Sequence, residues 1–271
     1  MKKVDISMMH SNEDNDCLKN PKIRPVCFDC KLMQLTEETE DMPGGGQQAH
    51  RSELKNKIKM KKYELTSEKK VFGDIELHRI KALKAFRNVK EGDLGGWIES
   101  EKNLSQRGNA WISENAMVSG NATVCEIATV SGNAWVGGTA KVSGFARVGG
   151  NAKVNGYATV CENAIVYGSA RISGNATVGG NAWVGENAMV CENADYIVFK
   201  NWWSSGRYFT WTRSNNKWTV GCFFGTGDEL VAKAYKDSEK SGREYERVVR
   251  YVESILKEED NDNGNRNKRE G

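Results

Sequence analysis

Residues 108–191 read GNAWIS ENAMVS GNATVC EIATVS GNAWVG GTAKVS GFARVG GNAKVN GYATVC ENAIVY GSARIS GNATVG GNAWVG ENAMVC. These fourteen hexads follow one another without a slip, and the pattern breaks down in ENADYI. Every hexad has Ala at its third position, from Ala110 to Ala188, with Ala194 continuing the series. Every hexad has Val or Ile at its fifth, from Ile112 to Val190. Residues two apart share one side of a strand. Gly and Asn between strands supply turn chemistry, because both tolerate positive φ. Each hexad is therefore one short strand and one corner, and three strands close a triangular coil of 18 residues. Small Ala fits where walls converge and Val or Ile fills the axis. At ~4.8 Å per coil the hexads build a prism of roughly 22 Å. A disordered Gly/Asn-rich tract would not hold a hydrophobic register over such a length.

The rest of the chain is unlike this stretch. All three prolines (Pro21, Pro25, Pro43) precede the repeat, and 28 glycines are spread through 271 residues. Residues 108–194 carry 4 basic and 5 acidic side chains, and the whole chain carries a net charge of +3. That balance lacks the basic excess duplex nucleic acid needs. No stretch has the ~18 apolar residues of a spanning helix, so no membrane partner is expected. The N-terminus lacks the apolar core of a secretory signal, which predicts a cytoplasmic location.

The segment before the repeat contains Leu77–Leu83, then Val89–Glu99, then Asn103-Leu104-Ser105. Together with the hexads it resembles the phage and prophage β-helix proteins of the YdcK-like group. The resemblance covers roughly residues 60–194, and it implies a left-handed parallel β-helix. The general preference for right-handed crossovers would give the opposite hand. Proteins of that group are often labelled hydrolase or acyltransferase by superfamily alone, and fold does not fix chemistry. Gly221-Cys-Phe-Phe-Gly-Thr-Gly-Asp-Glu-Leu230 resembles a C-terminal module that recurs in phage proteins.

Many hexapeptide-repeat proteins are trimeric acyltransferases with a His base on a coil or an extruded loop. This chain has His10, His50 and His78, none of them within 108–194, and no loop interrupts the hexads. His78 reads as an ordinary strand residue. No catalytic residue and no cofactor are assigned, and the expectation is a non-enzymatic protein. The corner residues Cys125 and Cys161 lie two coils apart, ~9.6 Å, too far for a disulfide.

The residue between Ala and Val/Ile points outward, and residues 18 apart stack. One face shows Trp111, Thr129, Arg147, Ile165 and Trp183. The second shows Met117, Trp135, Lys153, Arg171 and Met189. The third, with Thr123, Lys141, Thr159 and Thr177, reads as a solvated wall. Aromatics and Arg exposed together mark interface cores. These faces predict self-association, with a homotrimer expected from related β-helices. A sharper reading makes Trp111, Trp135 and Trp183 stacking platforms and Arg147, Lys153 and Arg171 anion holders in a pocket between protomers. Three functions follow: a phage-type oligomeric scaffold or binding protein with a host protein as possible partner, a binder sequestering a small anionic host molecule such as a nucleotide signal, or an acyltransferase.

Around this centre the fold class is mainly β. Residues 1–59 read as an extension, disordered or upstream of a true start at Met60, and 60–107 as an N-terminal β cap. Ile98 and Leu104 are expected to enter the Ala register. Residues 108–194 are the β-helix, 195–260 an α+β module and 261–271 a polar tail. The module reads as three strands (195–201, 207–212, 217–224) and two helices opened by the capping boxes Thr226–Glu229 and Ser241–Glu244. Its aromatic cluster includes Trp202, Trp203, Trp211 and Trp218, expected to cap the last coil, meet another subunit or meet a ligand. Open solenoid ends require such caps. Cys27 and Cys30, with Cys17 and His10, are a weak zinc candidate, since a second well-spaced pair is missing.

Overall fold

The computed structural model describes residues 61–267, with side chains as far as Glu259. The zinc candidates and the N-terminal extension lie outside the described residues. Each hexad forms one two-residue strand, from β4 (Trp111–Ile112) to β17 (Met189–Val190). The strands stack in parallel at a spacing of 18 residues, with Arg147 opposite Thr129 and Ile165, Lys153 opposite Trp135 and Arg171, and Thr159 opposite Lys141 and Thr177. Three walls result, and every third-position Ala and every fifth-position Val or Ile of the repeat is buried between them. The chain is thus a parallel β-solenoid flanked by two capping units.

The corners follow a rule that the sequence reading did not contain. The first hexad residue takes positive φ, whether it is Gly or Glu; Glu114, Glu126, Glu162 and Glu186 lie at φ 58, 61, 57 and 51°. Asn at the second position stays out of that region. Left-handed backbone costs a non-glycine residue roughly 1–2 kcal/mol. Three of the four glutamates recover this across the coil. Glu114, Glu126 and Glu162 accept from the N–H of Gly132, Gly144 and Gly180 one coil further on, at 2.6, 2.7 and 2.6 Å. A Cβ at Gly144 would stand 2.6 Å from the Glu162 backbone, and one at Gly168 2.6 Å from that of Glu186. Two Cβ-bearing corners are never stacked within the repeat, as in the column Gly108, Glu126, Gly144, Glu162, Gly180.

The N-terminal cap is an antiparallel hairpin, β1 (Tyr63–Phe72) and β2 (Ile75–Ala82), followed by β3 (Leu94–Ile98). β3 pairs in parallel with the strand at Met117, so the cap and one solenoid wall form a single eight-stranded sheet. Ile98 pairs with Val118 and Leu104 with Val124. They occupy the Val register, not the expected Ala register. The reason is spacing: Leu104 precedes Ile112 by eight residues instead of six, so the joining coil holds 20. The axis has room for these large side chains where the Ala positions do not.

The C-terminal module has four strands, not three: β18 (Tyr196–Lys200), β19 (Tyr208–Thr212), β20 (Lys217–Val220) and β21 (Phe223–Gly225). Gly221, at φ 58°, turns the chain within the segment read as one strand. Helices α1 (Gly227–Asp237) and α2 (Glu239–Asn267) follow. Thr226 caps α1 as expected: its Oγ1 accepts from the Glu229 N–H at 3.2 Å, and the Glu229 carboxylate accepts from the Thr226 N–H at 2.7 Å. α2 starts before Ser241, because Ser238 Oγ accepts from the Ser241 N–H at 3.1 Å. It also runs on through Asn267, into the segment read as a tail.

Strand alternation divides this sheet's labour. Phe199, Phe209, Trp211 and Trp218 face the helices and pack on Leu230, Tyr245, Val249 and Val252. Tyr196 and Val198 face the other way and pack on the solenoid core. Last-coil N–H groups, left without a further coil, find acceptors in the module. Trp183 N–H donates to Thr210 Oγ1 (2.9 Å), Met189 N–H to Ser214 Oγ (2.7 Å) and Cys191 N–H to the Asp195 carboxylate (2.7 Å). The coil is therefore closed by Tyr196 and Val198 together with hydroxyls and a carboxylate, while Trp203, Phe209, Trp211 and Trp218 close the module's own core. Among the described residues no helix is long and apolar enough to cross a membrane.

Candidate functional site

The two outward faces read as a site are unevenly covered. Trp111 is only 7% exposed, with Phe86 edge-on to it at 5.4 Å. Met117 is buried with Leu77 and Trp97 under the cap hairpin. Trp135 is half-buried at the margin of that patch: Phe72 lies 6.0 Å from its ring, and its Nε1 donates to Ser119 Oγ at 3.1 Å. A Cβ at Gly137 would stand 2.3 Å from the indole, so glycine is required for the ring to lie down on the wall. Trp183 is half-buried at the edge of the C-terminal module.

Arg147, Lys153 and Arg171 stand exposed between these covered ends. Lys153 and Arg171 are neighbours in register, about 4.8 Å apart along the wall. Trp135 lies on one side of the pair, and Met189, 47% exposed, on the other. Among the described residues none of the three cations is in an ion pair. No carboxylate occupies an outward strand position on either face. Like charges stacked this way repel, and an anion laid across them would relieve that repulsion.

Three of the four module tryptophans are core. Trp203 meets Tyr245 edge-on at 5.0 Å, Trp211 Nε1 donates to Asn216 Oδ1 at 2.8 Å, and Trp218 stacks obliquely on Phe209 at 5.9 Å. Trp202 is 73% exposed. His78 lies on β2, paired with Lys69 and Ile98, and its Nε2 is 3.5 Å from a Glu76 oxygen. Among the described residues no group of three or more His, Cys, Asp or Glu is placed to hold a metal.

A cleft of about 440 Å³ that the sequence did not announce opens between the first coil and the loop joining β2 to β3. Arg79, Phe86, Arg87, Asp93, Trp111 and Glu114 line it. Arg79 Nε donates to Gly95 O and Arg87 Nη1 to Ile127 O, while the Glu114 carboxylate holds the Gly132 N–H. Arg79 and Arg87 are thus engaged within the cap and between its loop and the solenoid, and Glu114 joins two coils. Residues 84–93 have no period, which is why the cleft escaped a reading based on periodicity.

Residues 170–186 match the family model described as the YdcK β-solenoid repeat. A curated relative from Escherichia coli (strain K12), named "Uncharacterized acetyltransferase YdcK", is 37% identical over 67 residues. That match covers 21% of this chain and 21% of the relative, so this chain spans about a fifth of the relative's length. Both findings support a YdcK-like β-helix family for the chain.

Proposed function

We propose that this chain is a non-enzymatic binding scaffold that works as a homo-oligomer, with a trimer as the expected state. The observation that carries the reading is the exposed ladder of Lys153 and Arg171, in no ion pair among the described residues, with Trp135 below and Met189 above. Arg147 stands exposed on the adjoining wall. A second copy would cover the apolar members and leave the cations facing a small anion held between protomers. The distribution of histidines supports the absence of an acyl-transfer base, since all three lie before the repeat. A phage or prophage origin and a cytoplasmic location complete the proposal.

One observation favours a second reading: the relative is named an acetyltransferase. Native mass spectrometry of the full chain, before and after exposure to a cell extract, tests the first. The expected result is a trimer that becomes a monomer in the Lys153→Glu, Arg171→Glu double variant. A wild-type monomer would overturn it. Turnover of acetyl-CoA with any acceptor, kept in that double variant, would establish the second reading instead.

A further inference from the structure

Lys62 is a fully buried lysine at the open N-terminal end of the solenoid. Its backbone is pinned on both sides: its N–H donates to Gln106 Oε1 at 2.8 Å, and its carbonyl accepts from the Leu83 N–H at 2.9 Å. Its Nζ donates to the carbonyl of Ala110, in the first hexad, at 2.8 Å. Among the described residues no earlier coil stacks beneath that carbonyl, and the amine bonds it where a preceding strand would. The remaining contacts of Nζ are the ring faces of Phe86 and Tyr63, at 5.5 and 6.0 Å. Those distances are at the outer limit of a cation–π contact.

This is a poor site for an ammonium. A charged lysine has three N–H donors, and among the described residues the structure offers one carbonyl. The Glu101 carboxylate is taken by Lys61 at 2.7 Å. The groups that act on the amine are Lys84, on the loop packed against it, which opposes its charge, and Cys125, at the end of the first coil, which favours it. Arg87 on the same loop is turned to Ile127 O. A neutral amine, with two N–H donors, is far better served here.

We infer that Lys62 is a pH-sensitive latch on the N-terminal cap: it seats fully as the neutral amine, and its protonation loosens the cap from the first coil. Burial, with Lys84 second, lowers its pKa from the ordinary 10.5 to about 7. The sign follows. An amine that has left its site regains the ordinary pKa, so between about 7 and 10.5 the open state binds the extra proton. Seating therefore strengthens as pH rises through that window and is constant below it.

Two measurements on the full chain test this. The first is the NMR titration of the Lys62 side chain in labelled protein, expected to show a midpoint near 7; a midpoint above 10 would overturn the latch. The second is hydrogen exchange of the Leu83 amide, corrected for its intrinsic rate. Its opening constant should fall about fiftyfold from pH 7 to 9, approaching tenfold per pH unit once the closed state has lost its proton. Lys62→Met should remove that slope. An equal slope in the variant would overturn the proposal, and if the variant does not fold, the wild-type titration alone decides.

Discussion

Replacing Gly150 by Ala and Gly180 by Ala makes the same chemical change in nearly the same backbone, at φ +65 and +64°. The surroundings differ. A Cβ on Gly150 would stand 2.9 Å from the carbonyl oxygen and 3.0 Å from the nitrogen of Gly168, both backbone atoms of the next coil. A Cβ on Gly180 meets only Glu162 Oε2, at 3.8 Å. Both variants carry the left-handed penalty of about 1 kcal/mol. Gly150→Ala adds an overpacking cost of about 1–3 kcal/mol, because the next coil cannot yield as a flexible side chain would. The expected losses are therefore about 1 kcal/mol for Gly180→Ala and about 2–4 kcal/mol for Gly150→Ala. Gly150→Glu should fall between them, since its carboxylate can take the Gly168 N–H as Glu114 takes that of Gly132 at 2.6 Å. Urea unfolding of the three variants, analysed with one common slope, measures the order. Equal losses at Gly150 and Gly180 would refute the argument that coil-on-coil contact, and not φ alone, reserves these corners.

Tyr63→Phe should destabilise the N-terminal cap by about 1–3 kcal/mol in the same unfolding assay, because the hydroxyl donates to the carbonyls of Leu104 (2.6 Å) and Glu101 (3.1 Å) and Leu104 is fully buried. Thr226→Ala should cost about 1 kcal/mol as a lost helix cap. It should also raise the pKa of Glu229, whose carboxyl is held below the ordinary value first by the hydrogen bond from the Thr226 N–H and then by its side chain; carboxyl NMR titration reads this. The sign is that the Glu229 contact stabilises above the ordinary carboxyl pKa and is lost as pH falls through the depressed one. An unmoved Glu229 in Thr226→Ala would mean that the cap is not what holds it.

The Lys62 latch and the corner glutamates share a physical cause. A parallel solenoid satisfies its backbone only through the coil before and the coil after, so every irregularity in the stack leaves polar groups needing side-chain partners. At the N-terminal end an amine and a tyrosyl hydroxyl serve; at the C-terminal end Thr210, Ser214 and Asp195 do. At the corners carboxylates reach across one coil. Apart from Asp195, whose partner Cys191 is four residues away, none of these residues stands out in a one-dimensional reading, because each is defined by a partner 18 or more residues away.

What the sequence determined by itself is the coil: strand, corner, buried Ala and Val, and the 18-residue stacking that aligns Lys153 with Arg171. A six-residue period with a fixed apolar register is complete information for that, since each hexad meets only copies of itself. What the tertiary structure decided is which outward side chains remain available. Trp111 and Met117 look as exposed in the repeat as Arg147, yet Phe86 and the cap hairpin cover them. Trp203, Trp211 and Trp218 turned inward to the helices, and only Trp202 stayed out. Coverage depends on how non-repeating segments fold back onto the prism. That is set by packing between distant parts of the chain, and no local period encodes it.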